Sequence, residues 1–162
     1  MKKQKGFTLI ELLVVIAIIG LLSTLAVVAL NNARMKARDA RRVTDVKQMQ
    51  TALELYYNDA GKYPANVATG STTSGTCLST SSTTPAESGF TAVCNPGGVI
   101  YMAKVPFSPT PVDSGCGAAT STDYAYTRDD DNGTTYTINY CLGAAVGEIP
   151  KGPNKATPAG IK

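Results

Sequence analysis

Between Lys5 and Leu22 the sequence KGFTLIELLVVIAIIGLL contains one acid, Glu11, at the mouth of an apolar run. A carboxylate there can favour the positive end of the helix it begins, or it can seek a cation. The other residues with chemistry to offer lie far downstream. Cys77, Cys94, Cys116 and Cys141 are the only cysteines, no two of them stand two to four residues apart, and histidine is absent. A zinc site is therefore not expected. Asp129, Asp131 and Asn132 carry oxygens of the kind calcium takes. Counting back from Gly133, however, puts Arg128 where an EF-hand loop needs its first aspartate, so a plain turn is expected and no metal or other cofactor. Catalysis has no visible seat. There is no acid pair, nucleophile elbow or phosphate loop, and the serines have no base beside them.

Glu11 must be positioned by the helix it opens. From Leu12 to Leu30 there are 19 residues without charge, interrupted only by Gly20, Ser23 and Thr24. As a helix they cover about 28 Å, close to the hydrocarbon thickness of a bilayer. The run is too long for the core of a secretory signal peptide, and the chain after it continues as helix. Ala33, Ala37, Ala40, Val43, Val46, Met49, Leu53, Tyr56 and Ala60 recur every three or four residues, one stripe on a helix. Arg34, Arg38, Arg41, Asp45 and Gln48 are expected on the other side, with Asp39 pairing Arg42 and Arg41 pairing Asp45. No proline occurs before Pro64, and Gly61 with Pro64 supplies a stop. Residues 7 to about 60 thus read as one helix, ~80 Å long. Its first half is greasy all round and needs lipid or copies of itself; its second half is amphipathic.

The start of the chain resembles the class III signal of type IV pilins and type II secretion pseudopilins. Lys2, Lys3 and Lys5 match its basic leader, Gly6 the residue before the cut, Phe7 the new N-terminus and Glu11 the acid before the apolar run. The resemblance extends to Gly61, Tyr63 and Pro64. Farther on, Val105, Pro106 and Pro109 resemble the pseudopilin Pro-x-Asp-Pro turn, with Ser108 where the Asp would stand; the lack of a mid-span proline also leans towards the pseudopilin side. The resemblance implies cleavage between Gly6 and Phe7 by a prepilin peptidase and N-methylation of Phe7. Loss of the three leader lysines would equalise the 15 basic and 12 acidic residues. It further implies that Glu11 guides filament assembly by meeting the α-amine of Phe7 on a neighbouring subunit.

Topology is contested within the sequence. Arg34, Lys36, Arg38, Arg41 and Arg42 come after the span and, by the positive-inside rule, would hold the remainder in the cytoplasm. The implied cytoplasmic cleavage and the cysteine-bearing remainder argue for the outside. The basic cluster is then expected to be a solvated face, to meet lipid head groups, or to meet acids of neighbouring subunits.

Four cysteines in about 100 extracytoplasmic residues suggest two disulfides. Three pairings are open; Cys77–Cys94 with Cys116–Cys141 is expected, since each would staple a loop-rich segment to a nearby strand. Residues 69–84, of which 12 of 16 are Ser or Thr, read as a solvated loop. Val99–Val105, Tyr124–Thr127 and Thr134–Leu142 read as strands, the last with Tyr136, Ile138, Tyr140 and Leu142 on one buried face. The acidic stretch 129–133 becomes a hairpin loop.

The expectation is an α+β, pilin-like fold: a long N-terminal helix, transmembrane then amphipathic, packed on a small antiparallel sheet. Its divisions are a cleaved leader 1–6, an assembly helix 7–30, an amphipathic half 31–62, a disulfide-bonded domain 63–142 and a flexible tail 143–162. The expected function is a structural, non-enzymatic subunit of a pilus or pseudopilus. Its partners would be other copies or related pilins, the prepilin peptidase/methylase, the assembly platform and the membrane, with no nucleic acid. It would sit in the inner membrane as a single-pass protein with its C-terminal domain outside, then in a periplasmic or extracellular filament. The alternative is a membrane-anchored minor pilin that binds a surface or DNA.

Overall fold

The computed structural model describes residues 6–65, 73–80, 89–94, 97–113, 116 and 124–161. Lys2, Lys3 and Lys5 of the leader, and residues 69–72 and 81–84 of the Ser/Thr-rich segment, lie outside the described residues. Residues 73–80 are not the solvated loop expected, because Thr73, Ser74, Ser79 and Thr80 are buried and Cys77–Ser79 forms a strand. The chain divides into two compact units, one ending at Met35 and the other beginning at Lys36.

One helix, α1, runs Leu9–Ala60 and belongs to both. In the first unit every described residue from Gly6 to Arg34 is exposed. The segment is long and apolar enough to cross a membrane. Ser23 and Thr24 turn their hydroxyls back onto the carbonyls of Ile19 and Leu21, at 2.7 and 2.8 Å, so neither presents an unpaired donor to lipid.

The second unit is an α+β domain. Among the described residues seven short strands come after α1: β1 Cys77–Ser79, β2 Phe90–Thr91, β3 Ile100–Met102, β4 Ala125–Arg128, β5 Tyr136–Leu142, β6 Gly152–Thr157 and β7 Gly160–Ile161. They form two antiparallel sheets rather than one, in the orders β2-β1-β3 and β4-β5-β6-β7. The alternation in β5 buries Tyr136, Ile138, Tyr140 and Leu142 in one core with Val43, Val46, Met49, Leu53 and Tyr56 of α1. Tyr63 packs edge-on against Tyr136 at 4.6 Å, and Phe90 meets Tyr126 at 4.8 Å, so aromatic rings join both sheets to the helix end. Gly61, at φ 69°, lets its N–H reach the carbonyl of Tyr57 and end the helix.

Further expectations change. The segment 143–162 is not a loose tail. β6 pairs with the whole second half of β5, from Ile138↔Ala156 to Leu142↔Gly152, and β7 extends the sheet. Its buried face is Gly152, Asn154 and Ala156, with Pro153 and Lys155 outward. Alternation built from such weak hydrophobes is invisible to a hydropathy reading. The strand expected over Val99–Val105 is shorter, because after Met102 the chain leaves β1 and Val105 instead exchanges hydrogen bonds with Gly75 and Thr76 at 2.8 and 2.7 Å. The buried stripe of α1 is also displaced: Ala37 and Ala40 are exposed, while Asp39, Arg42 and Asp45 are buried.

Candidate functional site

Glu11 lies in the first turn of α1, where the first backbone N–H groups lack helical partners. Thr8 and Glu11 satisfy one another as a capping box. Glu11 Oε2 accepts from the Thr8 N–H at 2.9 Å and from its hydroxyl at 2.6 Å, and the Glu11 N–H reaches Thr8 Oγ1 at 3.3 Å. The Thr-x-x-Glu spacing alone could have signalled this role for Thr8. No cation stands against Glu11 among the described residues, and Phe7, Leu9 and Ile10 around it are exposed. The turn is a neutralised N-terminus whose carboxylate keeps lone pairs for another partner.

A second polar assembly sits inside the C-terminal unit. Arg42, 1% exposed, donates to Asp39 Oδ1 at 2.6 Å, Asp113 Oδ2 at 2.5 Å, Ser108 Oγ at 3.2 Å and the Pro109 carbonyl at 2.9 Å. Arg38 makes a close ion pair with the other oxygen of Asp113. Asp39 in turn accepts the N–H groups of Gly143 and Ala144 at 3.0 and 2.8 Å. Two guanidiniums and two carboxylates therefore balance and tie α1 to the 105–113 segment and the β5–β6 turn. Burial raises the Asp113 carboxyl, but hydrogen bonds and charge from Arg38 and Arg42 outweigh it and hold its pKa below the usual range. The expected Asp39–Arg42 pair is present. Arg38 and Arg42 are not members of a solvated face, because buried acids draw both inward. Arg41 and Asp45 form no ion pair with one another. Asp45 is buried and accepts the Tyr124 hydroxyl at 2.8 Å; this desolvation raises its pKa against the pull of Tyr124 and Arg41. No sequence signal marked Asp113, which lies 71 residues from Arg42. Ser108, standing where the resemblance expects Asp, accepts from Arg42 through its hydroxyl, while the carboxylates against Arg42 are those of Asp39 and Asp113.

The acidic turn between β4 and β5 closes on itself. Asp130 accepts the N–H groups of Thr134 and Thr135 and makes a close bond with the Thr134 hydroxyl, and these bonds lower its pKa. Asp129 accepts the Thr137 hydroxyl at 2.6 Å. Of the acids whose oxygens could suit calcium, Asp129 is thus engaged within its own hairpin, while Asp131 is exposed. Cys77 is bonded to Cys94 and Cys116 to Cys141, closing separations of 17 and 25 residues. Among the described residues no three His, Cys, Asp or Glu side chains gather as metal ligands would.

Comparison with known proteins concentrates on the N-terminal part. Residues 1–27 match the family model for the prokaryotic N-terminal methylation motif. The chain is 44% identical over 62 residues to type II secretion system core protein G of Escherichia coli K12, covering 38% of this chain and 43% of that protein. To the protein of the same name in Pectobacterium carotovorum it is 40% identical over 63 residues, covering 39% and 40%. It is also 40% identical over 63 residues to type IV major pilin protein PilE1 of Neisseria gonorrhoeae, covering 39% and 38%. The chain spans less than half the length of the curated relatives it matches. No solved structure gives a significant match. The fold and the helix start define a pilin-like protein with a methylation-type N-terminus. Over that segment the chain is similar to type II secretion system core protein G and to type IV pilin proteins.

Proposed function

We propose that the chain is a structural subunit of a type IV pilus or type II secretion-like pseudopilus. The observation that carries this reading is the methylation motif over residues 1–27, joined to an apolar helix that is exposed along its whole N-terminal part. A peptidase removes residues 1–6 between Gly6 and Phe7, and the amine of Phe7 is methylated. The apolar N-terminal part of α1 anchors the subunit in the inner membrane, with the disulfide-bonded unit outside. There Glu11 lies one turn from the new N-terminus and reaches the interface. A carboxylate held at membrane depth costs ~2.5–3.5 kcal/mol, less near the edge. On entering a filament Glu11 loses water, and the α-amine of Phe7 on a neighbouring copy is the cation that compensates it. The role is structural, not enzymatic.

The test is the intact mass and N-terminal sequence of the protein from its native membrane, with and without reductant. A chain beginning at methylated Phe7 and gaining four hydrogens on reduction of its two disulfides is expected. A chain beginning at Met1 in cells with an active peptidase overturns the reading in favour of an anchored binding protein. Glu11→Ala should leave the protein in the membrane and abolish sheared filaments; normal filament yield would refute the role of Glu11.

A further inference from the structure

Within the C-terminal unit the surface of α1 that faces away from the sheets has a definite composition. Its middle is small: Ala37, Ala40, Thr44 and Thr51 are exposed along it. Thr44 and Thr51 fold their hydroxyls onto the carbonyls of Ala40 and Lys47, at 2.9 and 3.0 Å, so the face presents methyl groups and permits close approach. Its rims carry Lys36 and Lys47 on one side and Arg41 on the other, all exposed and none in an ion pair among the described residues. This charge does not serve the helix. Lys36, Arg41 and Lys47 lie in the middle of α1, more than three turns before its last residue, beyond the reach of the macrodipole, and the last turn has no base.

The complementary charge is on the same chain, elsewhere. The turn carrying Asp129, Asp130 and Asp131 is fastened just beyond the end of α1, where the Tyr63 N–H donates to the Gly133 carbonyl at 2.8 Å. Asp129 and Asp130 are occupied within the turn, but Asp131 is exposed and makes no hydrogen bond or ion pair among the described residues. Arg41 lies 19 residues before the last residue of α1, about 28 Å along the axis. Arg41 and Asp131 of one molecule therefore stand far apart. Between parallel copies offset by roughly 30 Å along the helix axis, they come together.

We propose that this small-residue, basic-rimmed face of α1 docks a second copy of the chain through its 129–133 turn, with Arg41 paired to Asp131 of the neighbour. The contact is heterologous and does not close on itself, as a growing filament requires. The proposal rests on the homopolymer reading above, and its test separates the two. Full-length Arg41→Cys and Asp131→Cys chains are co-expressed, and membranes and sheared material are treated with a short bis-maleimide. A 41–131 cross-linked dimer, identified by mass spectrometry, is expected; Lys155→Cys in place of Asp131→Cys should not give one with Arg41→Cys. A 41–131 cross-link in membranes without filaments would retain the contact while removing the filament. In the native chain, Asp131→Arg alone should lower copy–copy association about two- to fivefold, the effect of one exposed ion pair. Arg41→Glu added to it should restore association. Absence of the cross-link, or unchanged association in Asp131→Arg, overturns the proposal. So does binding of the basic face to phosphatidylglycerol vesicles that falls with Arg41→Glu while no 41–131 dimer forms, because that face would then be a lipid surface.

Discussion

Arg42→Ala is the sharpest test of how the C-terminal unit is held together. The side chain is 1% exposed and its guanidinium supplies four hydrogen bonds, two of them to carboxylates whose side chains are 0% and 5% exposed. Its loss changes a balanced group of two cations and two anions into one with a surplus buried negative charge. Breaking a buried pair by removing one partner costs ~3–5 kcal/mol. Partial compensation remains, because Asp39 keeps the Gly143 and Ala144 N–H groups and Asp113 keeps Arg38. The expected cost is therefore at the lower end, about 3 kcal/mol. Against a total stability of ~5–15 kcal/mol, and at about 4 °C per kcal/mol for a unit of this size, the melting point should fall by roughly 12 °C. The chain has eight tyrosines and no tryptophan, so near-ultraviolet circular dichroism of the detergent-solubilised full chain reports the tyrosine core. The pH dependence separates charge from packing. Asp113 has a depressed pKa in the native fold, so its stabilising contribution is complete above the ordinary aspartate value near ~3.9 and is lost as pH falls through the lower folded value. The gap between wild type and Arg42→Ala should narrow over that acid range. Arg42→Met, which keeps most of the stem, should still lose most of the stability at neutral pH. A melting point within about 2 °C of wild type, or a gap constant down to the acid range, would refute the reasoning.

Other perturbations probe the same geometry. At Gly143 an added Cβ would collide with the Asp113 side chain, so Gly143→Ala should cost about 2–3 kcal/mol in urea unfolding. Gly147→Ala meets no neighbour but puts a Cβ on a left-handed backbone at φ 59°, so it should cost about 1–2 kcal/mol from strain alone. Asp45 has a raised pKa, so its favourable contribution is present below the unfolded pKa and lost as pH rises through the folded one. Asp45→Asn, which keeps an acceptor for Tyr124, should therefore melt higher than wild type at pH 7, by roughly 3 °C, with the advantage gone near pH ~3. Replacing Cys116 and Cys141 together by Ser should cost about 3 kcal/mol on the loop-closure model, seen as a lower urea midpoint under oxidising conditions.

What the sequence by itself determined was the part governed by local rules. An uncharged run of bilayer length, the proline-free continuation and the Gly61 stop specify α1, since helix formation depends on contacts four residues apart. Glu11 is legible as the one acid at the mouth of that run, and its capping partner Thr8, three residues away, lies within reach of the same local rules although nothing in the apolar pattern marks it. Strand β5 was readable because Tyr136, Ile138, Tyr140 and Leu142 alternate strongly enough to mark one face. Tertiary structure decided the rest. Asp39, Arg42 and Asp45 fit a solvated helix face on pattern alone; they are buried because Asp113, Ser108, Tyr124 and the turn at Gly143 arrive from distant parts of the chain to satisfy them. Strand β6 was hidden for a related reason. Gly152, Asn154 and Ala156 have little hydrophobicity of their own and are inside only because β5 beside them offers a ladder to complete. Burial of a polar group or a small residue is a property of its partners, and those partners are set by the fold.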